Sequence, residues 1–245
     1  MGRLYISLFI LLFNFSFSQD LTQFSGPIDI NSIWNSDMLI TGDVTINEGV
    51  ILTISPGVTV YFSRYDQNQD GIGDTDFIVN GNLSANGVTF TSYSVYEGET
   101  PQTTDWGGID YITSSDGQSS TLTNVNIYYA HRGLHIDGHF MGLSNVEIAN
   151  CDDYGVHISN SYGTTSFNNV RILDNGSFGV HIDSGDVSIN GLLLFSNETY
   201  GLFASSSTTM EASDITSSSN GTYGIKLEGN QGMVLGSIQS VSNGS

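Results

Sequence analysis

Five glycines, Gly133, Gly155, Gly179, Gly201 and Gly224, divide the second half of the chain into steps of 22, 24, 22 and 23 residues. A common short phrase surrounds each: RGLHID, YGVHIS, FGVHID, YGLFAS, YGIKLE. A unit this short cannot bury an apolar face alone, so successive units must stack. Within the phrase, apolar residues alternate with polar ones, which is the period of a half-buried strand. The residue after each glycine is Leu134, Val156, Val180, Leu202 or Ile225, and two further on stands Ile136, Ile158, Ile182, Ala204 or Leu227. These positions point inward. Polar turns and further alternating runs fill the rest of each unit. The spacing predicts an all-β solenoid, a right-handed parallel β-helix of about 22–24 residues and three short strands per coil. Helical repeats would need a 3.6-residue period and strong helix formers. A leucine-rich horseshoe would need Leu-x-x-Leu-x-Leu, and the chain has neither.

Stacking in phase places equivalent residues above one another. Arg132, Tyr154, Phe178, Tyr200 and Tyr223 precede the five glycines and predict a ring stack. Asn175, Asn197 and Asn220 stand four residues before theirs, with Cys151 at the preceding coil. They predict a buried asparagine ladder in which each amide bonds the next. Cys151, the sole cysteine, takes an asparagine's place and is expected to be inert.

Met1 to Ser18 read as a secretory signal, with Arg3, an apolar run from Leu8 to Phe13, and small Ser16 and Ser18. No apolar run is long enough for a membrane span. The expected location is secreted, extracellular or on the outer surface of a Gram-negative cell. Asp and Glu number 25 against 5 Lys and Arg. That balance excludes nucleic acid and anionic lipid as partners. Asn243 repeats the ladder phase just before Gly244, so the solenoid is expected to continue past Ser245.

Residues 19–41 are expected to form an N-terminal cap region with Trp34 as a lid, and 42–245 the solenoid itself. The early coils run GDVTINEGVILTISPGVTVYF, VNGNLSANGVTFTS, DWGGIDYI and NVNIYYAHRGLHI. In this order they resemble exported right-handed parallel β-helix proteins of Bacteroidetes-type bacteria, with the pectin-lyase-like fold. The leader ending FSFSQ is similar too. The resemblance implies the fold over the whole mature chain and leaves the activity open among adhesin-like surface proteins, polysaccharide lyases and hydrolases. The family's pectinases carry an adjacent Asp pair, Gly-His-Gly and Arg-x-Lys. Here Asp152-Asp153, Gly138-His139-Phe140 and Gly224-Ile225-Lys226 stand in their places, and none matches in both wording and phase.

Two insertions interrupt these coils. Ser63 to Asp76 contains DQNQDGIGD, in which Asp66, Asn68, Asp70 and Asp74 alternate around Gly71. Alternate oxygens and a glycine at the sixth position suit a structural Ca²⁺, with the Ile72 carbonyl as a further ligand. A solvated acidic loop is the alternative. Tyr93 to Asp105 reads as a surface loop. Arg132, beside Tyr128 and Tyr129, reads as a cation–aromatic contact on the surface.

The outward residue of the phrase is His135, His157, His181, Phe203 and Lys226, with Asp137, Ser159 and Asp183 two residues further. Three readings stay open for this lattice. His135, Asp137, His157, His181 and Asp183 could form a catalytic face for polysaccharide, Asp137 and Asp183 standing about 9–10 Å apart by strand spacing. The histidines could chelate Zn²⁺ or Cu²⁺. Or the repeat merely copies a tolerable outward residue. An enzyme should wall its face with long turns, and the turns after the five glycines are short. The leading expectation is a monomeric, non-catalytic scaffold for adhesion or contact with polysaccharide or a surface partner. The alternative is a polysaccharide lyase or glycoside hydrolase.

Overall fold

The computed structural model describes residues 21–112, 119–161, 163–229 and 232–244. The leader region lies outside them. The described chain winds as parallel strands that form three long sheets. Sheet 1 climbs through 26–28, 44–46, Asp76–Val79, Gly108–Ile112, Leu134–Asp137, Val156–Asn160, 180–182, 202–204 and Tyr223–Leu227, each rung paired in parallel with the next. Sheet 2 runs from Ser32–Trp34 to Met233–Leu235, and sheet 3 from 22–24 to Ile238–Val241. Sheet 1 therefore has nine rungs among the described residues. The N-terminal stretch supplies rungs of its own while covering the apolar end. Trp34 packs its ring edge-on against Phe24 and Phe77, at 5.6 and 6.0 Å.

The inward alternation of the phrase is the core. Leu134, Ile136, Val156, Ile158, Val180, Ile182 and Leu202 are fully buried. The early coils fill a wider interior with rings: Phe62 stacks on Trp106 at 3.9 Å, and Phe77 and Phe90 close around them. The glycine beat has a steric cause. At Gly155 a Cβ would meet Ile172 Cγ2 at 2.3 Å and the Gly179 carbonyl at 2.8 Å. The chain enters sheet 1 so close to the next coil that no side chain fits.

The asparagine ladder forms as its phase requires. Asn175 Nδ2 donates to Asn197 Oδ1 at 2.8 Å, Asn197 to Asn220 at 2.9 Å, and Asn220 to Asn243 at 2.8 Å. Each Oδ1 also accepts the preceding coil's backbone N–H, and the Cys151 N–H donates to Asn175 in this way. Cys151 itself is buried, and burial pushes its thiol up to about 12, so it is not a nucleophile. A second, external ladder joins Asn86, Asn124, Asn145 and Asn169 between sheets 2 and 3. Asn124, Asn145 and Asn169 adopt φ of 52–54°, a left-handed corner that asparagine tolerates well.

The ring stack departs from expectation at one end. Phe178, Tyr200 and Tyr223 stack at 5.2 and 5.7 Å. Tyr154 instead hydrogen-bonds Arg132 and sets its ring edge against His157 at 5.0 Å. Arg132 likewise leaves Tyr128 and Tyr129 and turns to the carboxylates Asp76 and Asp110. A guanidinium gains more from two anions than from a ring face. The second insertion is not plain loop: Tyr93–Glu97 is one helical turn, capped by Ser92 Oγ and closed by Gly98 at φ 73°.

Asn197→Ala removes an acceptor for two N–H groups and a buried donor at once. Urea unfolding should show a loss of about 3 kcal/mol. A loss under about 1 kcal/mol would mean the ladder is not what holds this corner.

Candidate functional site

The outward column of sheet 1 is in register over seven rungs: Ile78, Asp110, His135, His157, His181, Phe203 and Lys226. Ring centroids along it are 5.2 Å apart for His135–His157, 4.7 Å for His157–His181 and 5.1 Å for His181–Phe203. Lys226 Nζ closes the column over Phe203 at 5.5 Å and over Tyr200 at 5.6 Å. The column runs from Ile78 and the carboxylate of Asp110, through three imidazoles, to Phe203 and the cation of Lys226.

The predicted lattice divides in two. His135 Nδ1 lies 3.3 Å from the Asp110 carboxylate, and Nε2 shares a hydrogen bond with Ser159 Oγ, 3.1 Å away. His157 Nε2 and His181 Nε2 converge instead on the two oxygens of Asp183, at 2.9 and 3.1 Å. Burial holds His181 below the ordinary imidazole value, against the opposing pull of Asp183. Asp137 joins neither group. A bulge between Ile136 and Asp137 pairs it with Asn160 rather than Ser159, which takes it out of line with Asp183. Among the described residues, His157, His181 and Asp183 alone form a close set of three potential metal ligands.

A second constellation was not expected. Arg132 Nη2 lies 3.6 Å from Asp110 and 3.9 Å from Asp76. Asp110 is nearly buried, its side chain about 10% exposed, while Asp76 and Arg132 are about 32% exposed. Burial first, and then the charge of Asp110, push the Asp76 carboxyl up to about 6, although Arg132 opposes them. Arg132 is held above its usual value by Asp110, Tyr154 and Asp76, which outweigh its partial burial. One signal for Asp110 was in the sequence. Gly108-Ile109-Asp110 repeats the phrase one coil earlier, so Asp110 occupies the histidine phase.

The insertions stand beside this constellation. Gly73 N–H donates to the Thr104 carbonyl at 2.8 Å, and Arg64 reaches the buried Asp105 at 3.3 Å. Ser92, Ser94 and the Gln102 N–H also bond Asp105. Thr103 Oγ1 extends to Asp152, two coils on, at 3.3 Å. The pair makes a ridge along the edge where the chain enters sheet 1. The short turns after the glycines lie on the other edge, so the wall is on the side that the turn lengths did not sample.

Residues 107–243, more than half of the chain, match the family described as the right handed beta helix region. The chain belongs to that family. No curated protein and no solved structure matches it. The β-helix therefore comes with its fold and with no activity attached, and the reading of the site rests on geometry. No described helix is long and apolar enough to cross a membrane.

In the first insertion, Asp66 carboxylate oxygens accept from the N–H groups of Gln69, Asp70 and Gly71. Asp70 accepts from Ile72 N–H, and Asp74 from Gln67 and Asn68. The donor set is hard oxygen throughout, which fits Ca²⁺. The carboxylates of Asp66, Asp70 and Asp74 are engaged in holding the turn, and the oxygens would have to turn to meet around an ion. Of the remaining histidines, His131 pairs with Asp152 at 3.2 Å. His139 is wholly inside, near Ser120 Oγ at 3.3 Å, and burial lowers it to about 4.

His139 and Asp76 oppose each other in acid. The buried imidazole stays neutral in the fold to about pH 4, while the unfolded chain protonates near 6.5. Stability is lost as pH falls through that window, by about 3 kcal/mol in full. Asp76 keeps its proton to about 6 in the fold and to 3.8 in the unfolded chain, so its share is regained as pH falls. Between pH 6 and 4, Asp76→Asn should steepen the acid loss and His139→Gln should flatten it, measured as unfolding free energy against pH. The opposite ordering would overturn both assignments.

Proposed function

We propose that this protein is a carbohydrate-active β-helix that lays a neutral polysaccharide along the outward face of sheet 1 and hydrolyses it at Asp76, Asp110, Arg132 and His135. The observation that carries this reading is the geometry of two carboxyls, Asp76 and Asp110, 3.9 and 3.6 Å from one guanidinium nitrogen of Arg132, with burial and the charge of Asp110 pushing the Asp76 carboxyl up to about 6. Glycoside hydrolysis needs this pairing of one acid with one base. Asp76 would give its proton to the glycosidic oxygen as the C–O bond breaks. The Asp110 carboxylate would take a proton from the attacking water. Arg132 and His135 would hold the Asp110 carboxylate in place. The His, Tyr and Phe rims up the column offer hydrogen-bond and apolar contacts at intervals near the length of one sugar ring.

Charge decides between substrates. With 25 acidic residues against 5 basic, the chain as a whole repels uronate polymers, and hydrolysis of a neutral chain is favoured over lyase chemistry. A non-catalytic scaffold for adhesion is the second reading, and the recess of Asp110 favours it. On either reading the protein is monomeric and exported, in the medium or on the outer surface of a Gram-negative cell. The Met1–Ser18 leader supports that placement. The proposal also includes a structural Ca²⁺ held by Asp66, Asn68, Asp70, Ile72 and Asp74.

A panel of neutral and uronic polysaccharides, scored for both retention and depolymerisation, tests the reading. Neutral chains should be cut, and Asp76→Asn should slow cutting by about a hundredfold or more while retention stays. Retention without cutting in the wild type would leave the scaffold; neither would sink both. For the loop, calorimetry with CaCl₂ should show one site and a raised Tm, both abolished in Asp70→Ala. Equal titrations in the two proteins would remove calcium from this loop.

A further inference from the structure

We infer that His157, His181 and Asp183 form a binding site for one d-block divalent cation, with zinc the metal of first choice. Two imidazole nitrogens and one carboxylate are the protein ligands of open zinc sites, and imidazole selects such metals over Ca²⁺ and Mg²⁺. Nε2 of His157 and Nε2 of His181 already point at the same carboxylate, at 2.9 and 3.1 Å. All three ligand atoms lie within 4.8 Å of one another. Zinc bonds of 2.0–2.1 Å put tetrahedral ligand atoms about 3.3 Å apart. The two nitrogen–oxygen separations are within a few tenths of an ångström of that value.

The site is complete with small movements. The imidazole planes are 13° apart with centroids at 4.7 Å, so one ring must turn about χ2 for both lone pairs to share an ion. The cation then replaces the two N–H···O bonds to Asp183. Phe178 stacked on His181 at 4.6 Å and Tyr154 edge-on to His157 at 5.0 Å limit how far the rings stray. His135 is excluded, because Asp110 and Ser159 already engage both of its nitrogens. The Asp183 side chain is about 46% exposed, against 19% and 22% for the two histidines. The fourth position therefore faces solvent and takes water or a ligand oxygen. The formal charge of −20 raises the local concentration of cations around the chain.

This inference is independent of hydrolysis at Asp76, which lies coils away on the same sheet. Calorimetry of the full chain with ZnCl₂ should show one ion per chain. His157→Ala and His181→Ala should each weaken binding by more than about tenfold, and Asp183→Asn should weaken it as well. Asp137→Asn should leave it unchanged. CoCl₂ added to the wild type should give visible absorption of a low-coordinate nitrogen-ligated ion, lost on adding excess zinc. No zinc heat, no cobalt absorption, or an unchanged titration in the His157→Ala/His181→Ala double variant would overturn the site.

Discussion

Close backbone approach at one corner sets everything else in this molecule. Where the chain turns into sheet 1, Gly155 N–H donates to the Phe178 carbonyl at 2.9 Å, and a Cβ on Gly179 would meet the Gly201 carbonyl at 2.6 Å. Coils that touch backbone to backbone cannot slip by a residue, because a slip would drive a side chain into the next rung and reverse every inward and outward position. The asparagine ladder reinforces the same corner. Its buried amides find partners only when the coils are in phase, so it penalises any other register. The apolar core is permissive by comparison. Leu, Ile, Val and Ala alternate at the inward positions without altering the path of the chain.

That fixed register turns sequence repetition into a surface. Three histidines, 22 and 24 residues apart in the chain, become neighbours about one strand spacing apart. Yet identical residues acquire different environments from the coils on either side. His135 meets the carboxylate of the coil below, Asp110. His157 and His181 meet the carboxylate of a coil above or of their own, Asp183. The solenoid thus copies a residue type and leaves its chemistry to one non-repeating neighbour.

How much of this was legible in the sequence follows the same division. The coil period, the inward residues, the asparagine ladder and the outward column from His135 to Lys226 are all readable, because each depends only on phase. Tyr154 is not, since its departure from the ring stack depends on a guanidinium one coil away. Asp137 is not, since a bulge that no composition signals moves it out of line. Asp76 and Asp110 were hidden differently. Asp76 ends the insertion Ser63 to Asp76 and Asp110 follows the insertion Tyr93 to Asp105, and both insertions break the spacing by which the beat is recognised. The external ladder of Asn86, Asn124, Asn145 and Asn169 went unread because its residues lie in turns, where asparagine is expected for its backbone freedom alone.

The position of the insertions gives the face its direction. A bare solenoid offers the same shallow surface at every coil, and no rung is favoured for chemistry. Here the ridge rises beside the first coils only, anchored by Arg64, Ser92 and Ser94 on the buried Asp105. Partial burial, and then the charge of Asp110, lift the Asp76 carboxyl toward neutrality. The carboxylate of Asp183, farther up and about 46% exposed, spends its charge on two imidazoles. Acids on one sheet thus meet different surroundings, Asp76 a guanidinium and a second carboxylate, Asp183 two imidazoles. The non-repeating loops, rather than the repeats, make one end of the sheet unlike the other.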